Sequence, residues 1–237
     1  MDNQLLYDRE IPIRYEDLNN EHKKVLAWVG ENKKVLEVAC HTGYFSAWLK
    51  KQGCEVTGAE IYEPAIEKAK PYLSKWILGN IEHSEVWQVV AEEKYDVVLY
   101  MHILEHLMNP EEILRKTREL LNRGGKVIIC LPNISNWVNR WEMFKGNFTY
   151  TETGVMDRTH LRFYNYYASI AMIQRCGFKL EEYSGDSWKV AFNLFRNNQI
   201  RKFWGVNRLN WYFNKMIYKY FRPNFTDKVL MLKLVVA

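Results

Sequence analysis

The chain has 237 residues, a formal net charge of +5 with histidines neutral, 48% hydrophobic and 26% charged residues. That balance belongs to a folded chain of one large domain, or one domain with an elaboration, and excludes a disordered polyelectrolyte. No run of eighteen apolar residues is present, so no transmembrane helix is expected, and the polar start MDNQLLYDRE does not read as a signal peptide. The four cysteines, Cys40, Cys54, Cys130 and Cys176, form no CxxC pair and no zinc spacing, and read as reduced cytoplasmic thiols. Aromatic residues reach 15%, and with excess positive charge they leave nucleic acid, an anionic small molecule or a membrane surface as partners.

In chain order, Asn20 and Glu21 open a helix with Leu26 and Val29 facing inward. Apolar runs predict strands at Lys34–Ala39, Cys54–Ala59, Trp76–Gly79, Tyr95–Met101 and Lys126–Leu131, with a weaker one at Lys179–Tyr183 and a last at Lys228–Val236. After the fourth strand Asn109 is placed to cap a helix, with Pro110 at its first position, Glu112 completing a capping box and Gly124 as its stop. Ile113, Leu114, Thr117, Leu120 and Leu121 make its buried face. Asn165–Cys176 is a further helix, ended by Gly177. Strands alternating with helices predict an α/β fold built on a mainly parallel sheet.

In such a sheet ligands sit beyond the C-terminal strand ends, so the first strand-to-helix loop, Glu37 to Ser46, is the first candidate. A dinucleotide fingerprint would need glycine at 39, 41 and 44, where Ala39, His41 and Tyr44 stand. Instead an acid, Glu37, closes the first strand, Gly43 ends the turn, and a second acid, Glu60, closes the second strand 23 residues later. A carboxylate at the second strand end suits ribose hydroxyls, one at the first suits a cationic amine, and the pair suits a cofactor without phosphates.

The stretches VLEVACHTGYFSAWL, VTGAEIYEPAIEKA, YDVVLYMHILEHLMNPEEIL and LLNRGGKVIICLPN resemble the successive motifs of class I S-adenosylmethionine-dependent methyltransferases, over Met1 to about Gly185. YDREIPI, NNEHKKVL and FTYTETGVMDRTHLRFY add a likeness to a bacterial group often encoded with glycosyltransferases in surface-glycan clusters. The resemblance implies a Rossmann-like fold with a seven-stranded, mostly parallel sheet and an antiparallel last strand. It implies S-adenosyl-L-methionine as cofactor, with the first loop (Glu37, Ala39, His41, Gly43) around its methionine end, Glu60 and Ile61 at the ribose, Asn80 and Ile81 beside adenine, and Met101 and His102 on the sulfonium side. Tyr15 and His22, before the first strand, are further candidates as a cofactor lid.

On the acceptor side, Glu105-His106 and the charged run Asp157-Arg158-Thr159-His160-Leu161-Arg162 are the candidates. His160 or His106 would take the proton of a hydroxyl acceptor, with Glu105 and Asp157 as supporting acids and Arg158 or Arg162 as anion or sugar contacts. A metal-free site is the expectation. The alternative is a divalent ion on His102, Glu105, His106 and His160, after the acid-x-x-Glu-His pattern of ubiquinone-biosynthesis and small-RNA methyltransferases, with His102 in the place of the first acid.

From Ser187 to Thr226 there are eight Lys or Arg, no acid, and twelve aromatics in forty residues. Phe213, Met216, Ile217, Tyr220 and Phe221 make a helical stripe, so 187–226 reads as a helical insertion and 1–186 with 227–237 as the methyltransferase domain. Without its eight cations the rest of the chain carries −3, so the basic excess is local. The segment reads either as a helical pair packed on the fold with its basic face solvated, or as an interfacial patch of a cytoplasmic protein that meets anionic lipid, nucleic acid being disfavoured for want of an RNA-binding module. The expected reaction is O-methylation of a sugar, glycan or related small acceptor by a chain that could pair as a homodimer. An RNA methyltransferase and a catalytically silent cofactor-binding scaffold are the alternatives.

Overall fold

A computed structural model describes Tyr15–Ser187 and Pro223–Ala237. Helix α1 (Asn20–Val29) precedes β1 (Lys34–Val38), and α2 (Ser46–Lys51), β2 (Glu55–Glu60), α3 (Glu63–Ala69), β3 (Lys75–Leu78), α4 (Ser84–Val90) and β4 (Tyr95–Met101) follow. The second half runs α5 (Pro110–Leu120), β5 (Leu121–Pro132), α6 (Trp137–Phe144), α7 (Tyr166–Arg175), β6 (Phe178–Ser187) and β7 (Asp227–Val236). The strands form one sheet in the order β3-β2-β1-β4-β5-β7-β6, parallel from β3 to β5, with β7 antiparallel to both neighbours. This is the predicted Rossmann-like architecture. Ser187 belongs to β6, and Pro223–Thr226 form turns leading into β7. The predicted helical stripe between them lies outside the described residues.

Strand alternation builds two apolar layers. Leu36, Val98, Tyr100, Val127 and Ile129 pack against Val90, Ile113, Leu120 and Ile173 on one face. Val35, Val97, Leu99, Ile128 and Cys130 pack against Leu26, Trp28, Leu49 and Ile66 on the other. Within this core Tyr100 Oη meets Thr117 Oγ1 at 2.6 Å, and Thr117 donates to the Ile113 carbonyl at 2.7 Å. All four cysteines are buried and unlinked.

Two local expectations are corrected. The Asn109–Glu112 capping box does not form, because Glu112 pairs with Lys116 at 2.7 Å and the Asn109 backbone N–H donates to Glu82 at 2.6 Å. Gly124 does not stop α5. The chain turns extended at Leu121, and Gly124 (φ 77) lies in the irregular start of β5. β6 runs to ten residues, past the predicted Lys179–Tyr183, because β7 pairs along the polar stretch to Ser187.

Candidate active site

The sheet reverses its strand order between β1 and β4, so their C-terminal ends splay their following loops apart and leave a cleft. The loop after β1 enters it with left-handed backbone at Ala39 (φ 59), His41 (φ 49) and Gly43 (φ 77). The two residues that replaced expected glycines therefore still hold the backbone shape that favours glycine. Backbone N–H groups of Ala39 and Cys40 both donate to the Ala59 carbonyl, at 2.8 and 3.3 Å, drawing the loop onto the end of β2.

Glu60 completes that junction. One carboxylate oxygen accepts from the His41 N–H at 2.9 Å, the other from Ile61 and Tyr62 N–H at 2.9 and 3.0 Å. Glu60 thus joins the β1 and β2 loops before it meets any ligand. Glu37 lies deeper and accepts from the Ser46 hydroxyl at 2.5 Å. Burial outweighs that hydrogen bond and, with the charge of Glu60 nearby, pushes the Glu37 carboxyl up to about 8.

Other donor-side candidates divide. Ile61 is 63% exposed at the mouth of the loops. Ile81 is buried in the core with Val86 and Val90. Gly43 packs closely on α3, where an added Cβ would lie 2.9 Å from the Ala69 Cα. Asn80 spends its side-chain oxygen on the Glu82 N–H at 2.9 Å. Met101 packs partly against the α1–α3 core layer. His22 packs on Tyr44 and Phe45 and so reaches the first loop, while Tyr15 lies edge-on to Trp48 of the helix that follows it.

His102, just past β4, is a third strained residue (φ 55). Its Nε2 meets Glu21 of α1 at 2.6 Å and its Nδ1 lies 3.7 Å from Glu105. Burial opposes both charges. The mutual attraction nevertheless keeps Glu21 ionised below the usual carboxylate range and raises His102 above the usual imidazole range. Nothing in the sequence marked Glu21 as more than a helix opener.

Across the cleft, a 3-10 turn (Leu104–His106) and the 157–162 loop meet. Leu161 and Arg162 N–H groups both donate to the Glu105 backbone carbonyl, at 2.9 and 3.2 Å. Glu105, His106 and His160 bring one ligand atom each within 4.8 Å of one another, and the imidazole rings stand edge to face at 4.8 Å. The Glu105 side chain is 1% exposed, and neither of its oxygens has a hydrogen-bond partner among the described residues. His160 Nδ1 lies 3.1 Å from the Val155 carbonyl, which places that ring's proton on Nδ1 and leaves its Nε2 a lone pair, and His106 Nδ1 lies 3.3 Å from the Thr159 carbonyl and 3.2 Å from the Thr159 hydroxyl. Burial, with His106 adding to it against the pull of Glu105, holds His160 below the usual imidazole range, so it is neutral near pH 7.

The remaining acceptor-side candidates are structural. Asp157 is buried and accepts from the Thr159 N–H and hydroxyl at 2.8 and 2.7 Å, so its carboxylate shapes the loop. Arg158 pairs with Glu152, and Arg162 donates to the Leu107 and Met108 carbonyls at 2.7 and 2.5 Å. The sequence also gave no weight to Phe148, Tyr150 and Phe163, whose rings contact one another at about 6 Å, with Phe163 6.3 Å from His160.

This arrangement is a paired-acid loop across a sheet switch point from a histidine cluster. A family model described as a methyltransferase domain matches residues 8–183. The chain belongs to that family. The ubiquinone biosynthesis O-methyltransferase of Acinetobacter baylyi is 28% identical over 118 residues, 46% of this chain and 50% of that one. The protein of the same name from Proteus mirabilis is 35% identical over 104 residues, 43% and 42%. The methyltransferase chain spans about half the length of the curated relatives it matches. Among solved structures, a SAM-dependent methyltransferase from Archaeoglobus fulgidus superposes with a TM-score of 0.64 over 90% of each chain at 16% identity. The CcbJ methyltransferase from Streptomyces caelestis gives 0.59 over 92% and 94% at 18% identity. These two likenesses speak for the fold.

Proposed function

We propose that this methyltransferase uses S-adenosylmethionine to methylate a hydroxyl of a sugar or related small acceptor, with His160 as the base. The cofactor suits the residues present, since two strand-end acids and a left-handed loop offer carboxylates and close backbone but no phosphate cradle. When bound it supplies an electrophilic methyl group. Glu37 and Glu60 hold the donor side, and Ile61 offers an exposed apolar face there. Rate comes mainly from aligning the acceptor oxygen. His160 Nε2 takes the hydroxyl proton, and buried Glu105 favours the imidazolium that results.

The observation that carries this reading is His160, its ring held by the Val155 carbonyl, beside the buried Glu105 carboxylate. Glu105, His106 and His160 also fit a divalent ion, which would act as a Lewis acid on the acceptor oxygen. His102 stands outside that set, turned to Glu21. Calorimetry with S-adenosylmethionine and a S-adenosylhomocysteine-release assay against hydroxylated acceptors test the main reading, and absence of donor binding refutes it. Full turnover in chelator favours the base, while loss restored by one specific metal favours the ion. The basic 187–226 stretch supports an acceptor met at an anionic lipid surface, which co-sedimentation with anionic liposomes tests.

A further inference from the structure

A cavity of about 630 Å³ lies between α6 and the 147–156 segment, lined in part by Asn139, Glu142, Thr149, Thr151, Val155 and Lys228. Val155 ties it to the histidine cluster, because its carbonyl is the one that fixes the His160 ring. Alternation along the chain sorts the side chains: Phe148 and Tyr150 meet Phe163, while Thr149 and Thr151 line the cavity. One stretch of backbone thus builds both an aromatic wall beside His160 and one side of the cavity.

The lining has a definite hydrogen-bonding character. Asn139 Nδ2 is buried with no partner among the described residues, a donor left without an acceptor. The hydroxyls of Thr149 and Thr151 donate to the Asn147 side-chain oxygen and the Thr153 carbonyl, at 2.5 and 2.9 Å, and keep lone pairs to accept with. Glu142, held ionised by hydrogen bonds from Lys145 and Asn147 at 2.7 and 3.0 Å, stands on the same wall as the cation Lys228, so the lining favours neither anion nor cation. Val138, Met143 and Met156 supply apolar faces. A group that both accepts and donates, carries no charge and has a carbon skeleton fits this set.

On the reading of this chain as a hydroxyl methyltransferase, we propose that the cavity is a second acceptor subsite. It takes a neutral polyhydroxylated ring while the reacting hydroxyl sits at His160, and Asn139 is a specificity residue whose amide, closed off in the empty cavity, turns to donate to one of the ring oxygens. Saturation-transfer NMR on the full chain tests it, with methyl glycosides of neutral hexoses and 6-deoxyhexoses as probes and catechol as comparator. Transfer to at least one glycoside is expected, reduced at least fivefold in Asn139→Leu, retained in Asn139→Gln, and reduced in Thr151→Val as an independent variant. Transfer to catechol alone, to no glycoside, or equally in the wild type and both hydrophobic variants would overturn the subsite. Titration with S-adenosylmethionine separates the two readings. Donor binding without glycoside binding refutes the subsite alone, and glycoside binding without donor binding refutes the transferase reading instead.

Discussion

The two sides of the cleft are built by opposite means. The donor side is shaped by backbone: three left-handed residues, two N–H groups on the Ala59 carbonyl, and three more on Glu60. The acceptor side is shaped by side chains: two imidazoles over a buried carboxylate, a ring of aromatics, and a cavity lined by amides and threonines. A backbone-built site tolerates sequence change so long as the chain path survives, which is how Ala39 and His41 stand where glycine was expected. A site built from side chains is redefined by each substitution, and on the proposed function specificity resides there.

The sharpest division between the sides is expected at His160 and Glu60. His160→Ala should lower kcat by about 10²–10⁴-fold, the usual range for a positioned base, with donor affinity unchanged by calorimetry. Unchanged kcat would remove His160 from the reaction. Glu60→Ala should do the reverse, weakening donor binding by about tenfold or more as three partly buried N–H groups lose their acceptor, at roughly 1 kcal/mol in stability. Thermal melting reads the second effect. A variant that melts normally but binds no donor would make Glu60 a ligand contact and not a loop clamp.

This division also explains what could be read without coordinates. The apolar run at Tyr95–Met101 and the acids at 37 and 60 are one-dimensional signals, and from them the sheet and the first loop could be read. Glu105, His106 and His160 were readable as residue types, yet their meeting depends on Leu161 and Arg162 donating to the Glu105 carbonyl across more than fifty residues. Asp157 and Arg162 stood out by charge, and in the structure Asp157 accepts within its own turn while Arg162 reaches the Leu107 and Met108 carbonyls more than fifty residues away. Ile81 followed the adenine-side pattern but turned into the core, since α4 supplies apolar partners there. The cavity at Asn139 was not legible, because an orphaned amide is a fact of packing.

pH offers a gentler probe of the donor side. The buried Glu37 carboxyl, pushed up to about 8, is protonated in the free protein near neutrality. A bound α-ammonium favours the carboxylate, so donor affinity should rise with pH and level off above about 8, by up to about tenfold per pH unit below it. In the free protein the raised value acts the other way. The folded state holds a proton that the unfolded chain releases near 4.5, so this group's contribution to stability is full below about 4.5 and is lost as pH rises towards 8. Calorimetry in buffers of different ionisation enthalpy should show proton release on binding at pH 7. In Glu37→Gln that release should vanish, and its persistence would place the titrating group elsewhere.

The smallest expected effect bears on why the donor loop could change its residues. Ala39 at φ 59 carries a left-handed strain of roughly 1–2 kcal/mol, and glycine there would relieve it while adding about 0.5–1 kcal/mol of unfolded-state entropy. Ala39→Gly should therefore stabilise by about 1 kcal/mol or less, a rise in Tm of about 2–4 °C at most for a chain of this size. If the loop is defined by its backbone path, donor affinity should stay within about twofold, since the N–H groups on Ala59 and Glu60 keep their places. A large gain in affinity would mean that the alanine methyl group intrudes on the donor, and the acceptor side would then not be the only place where side chains set what this methyltransferase binds.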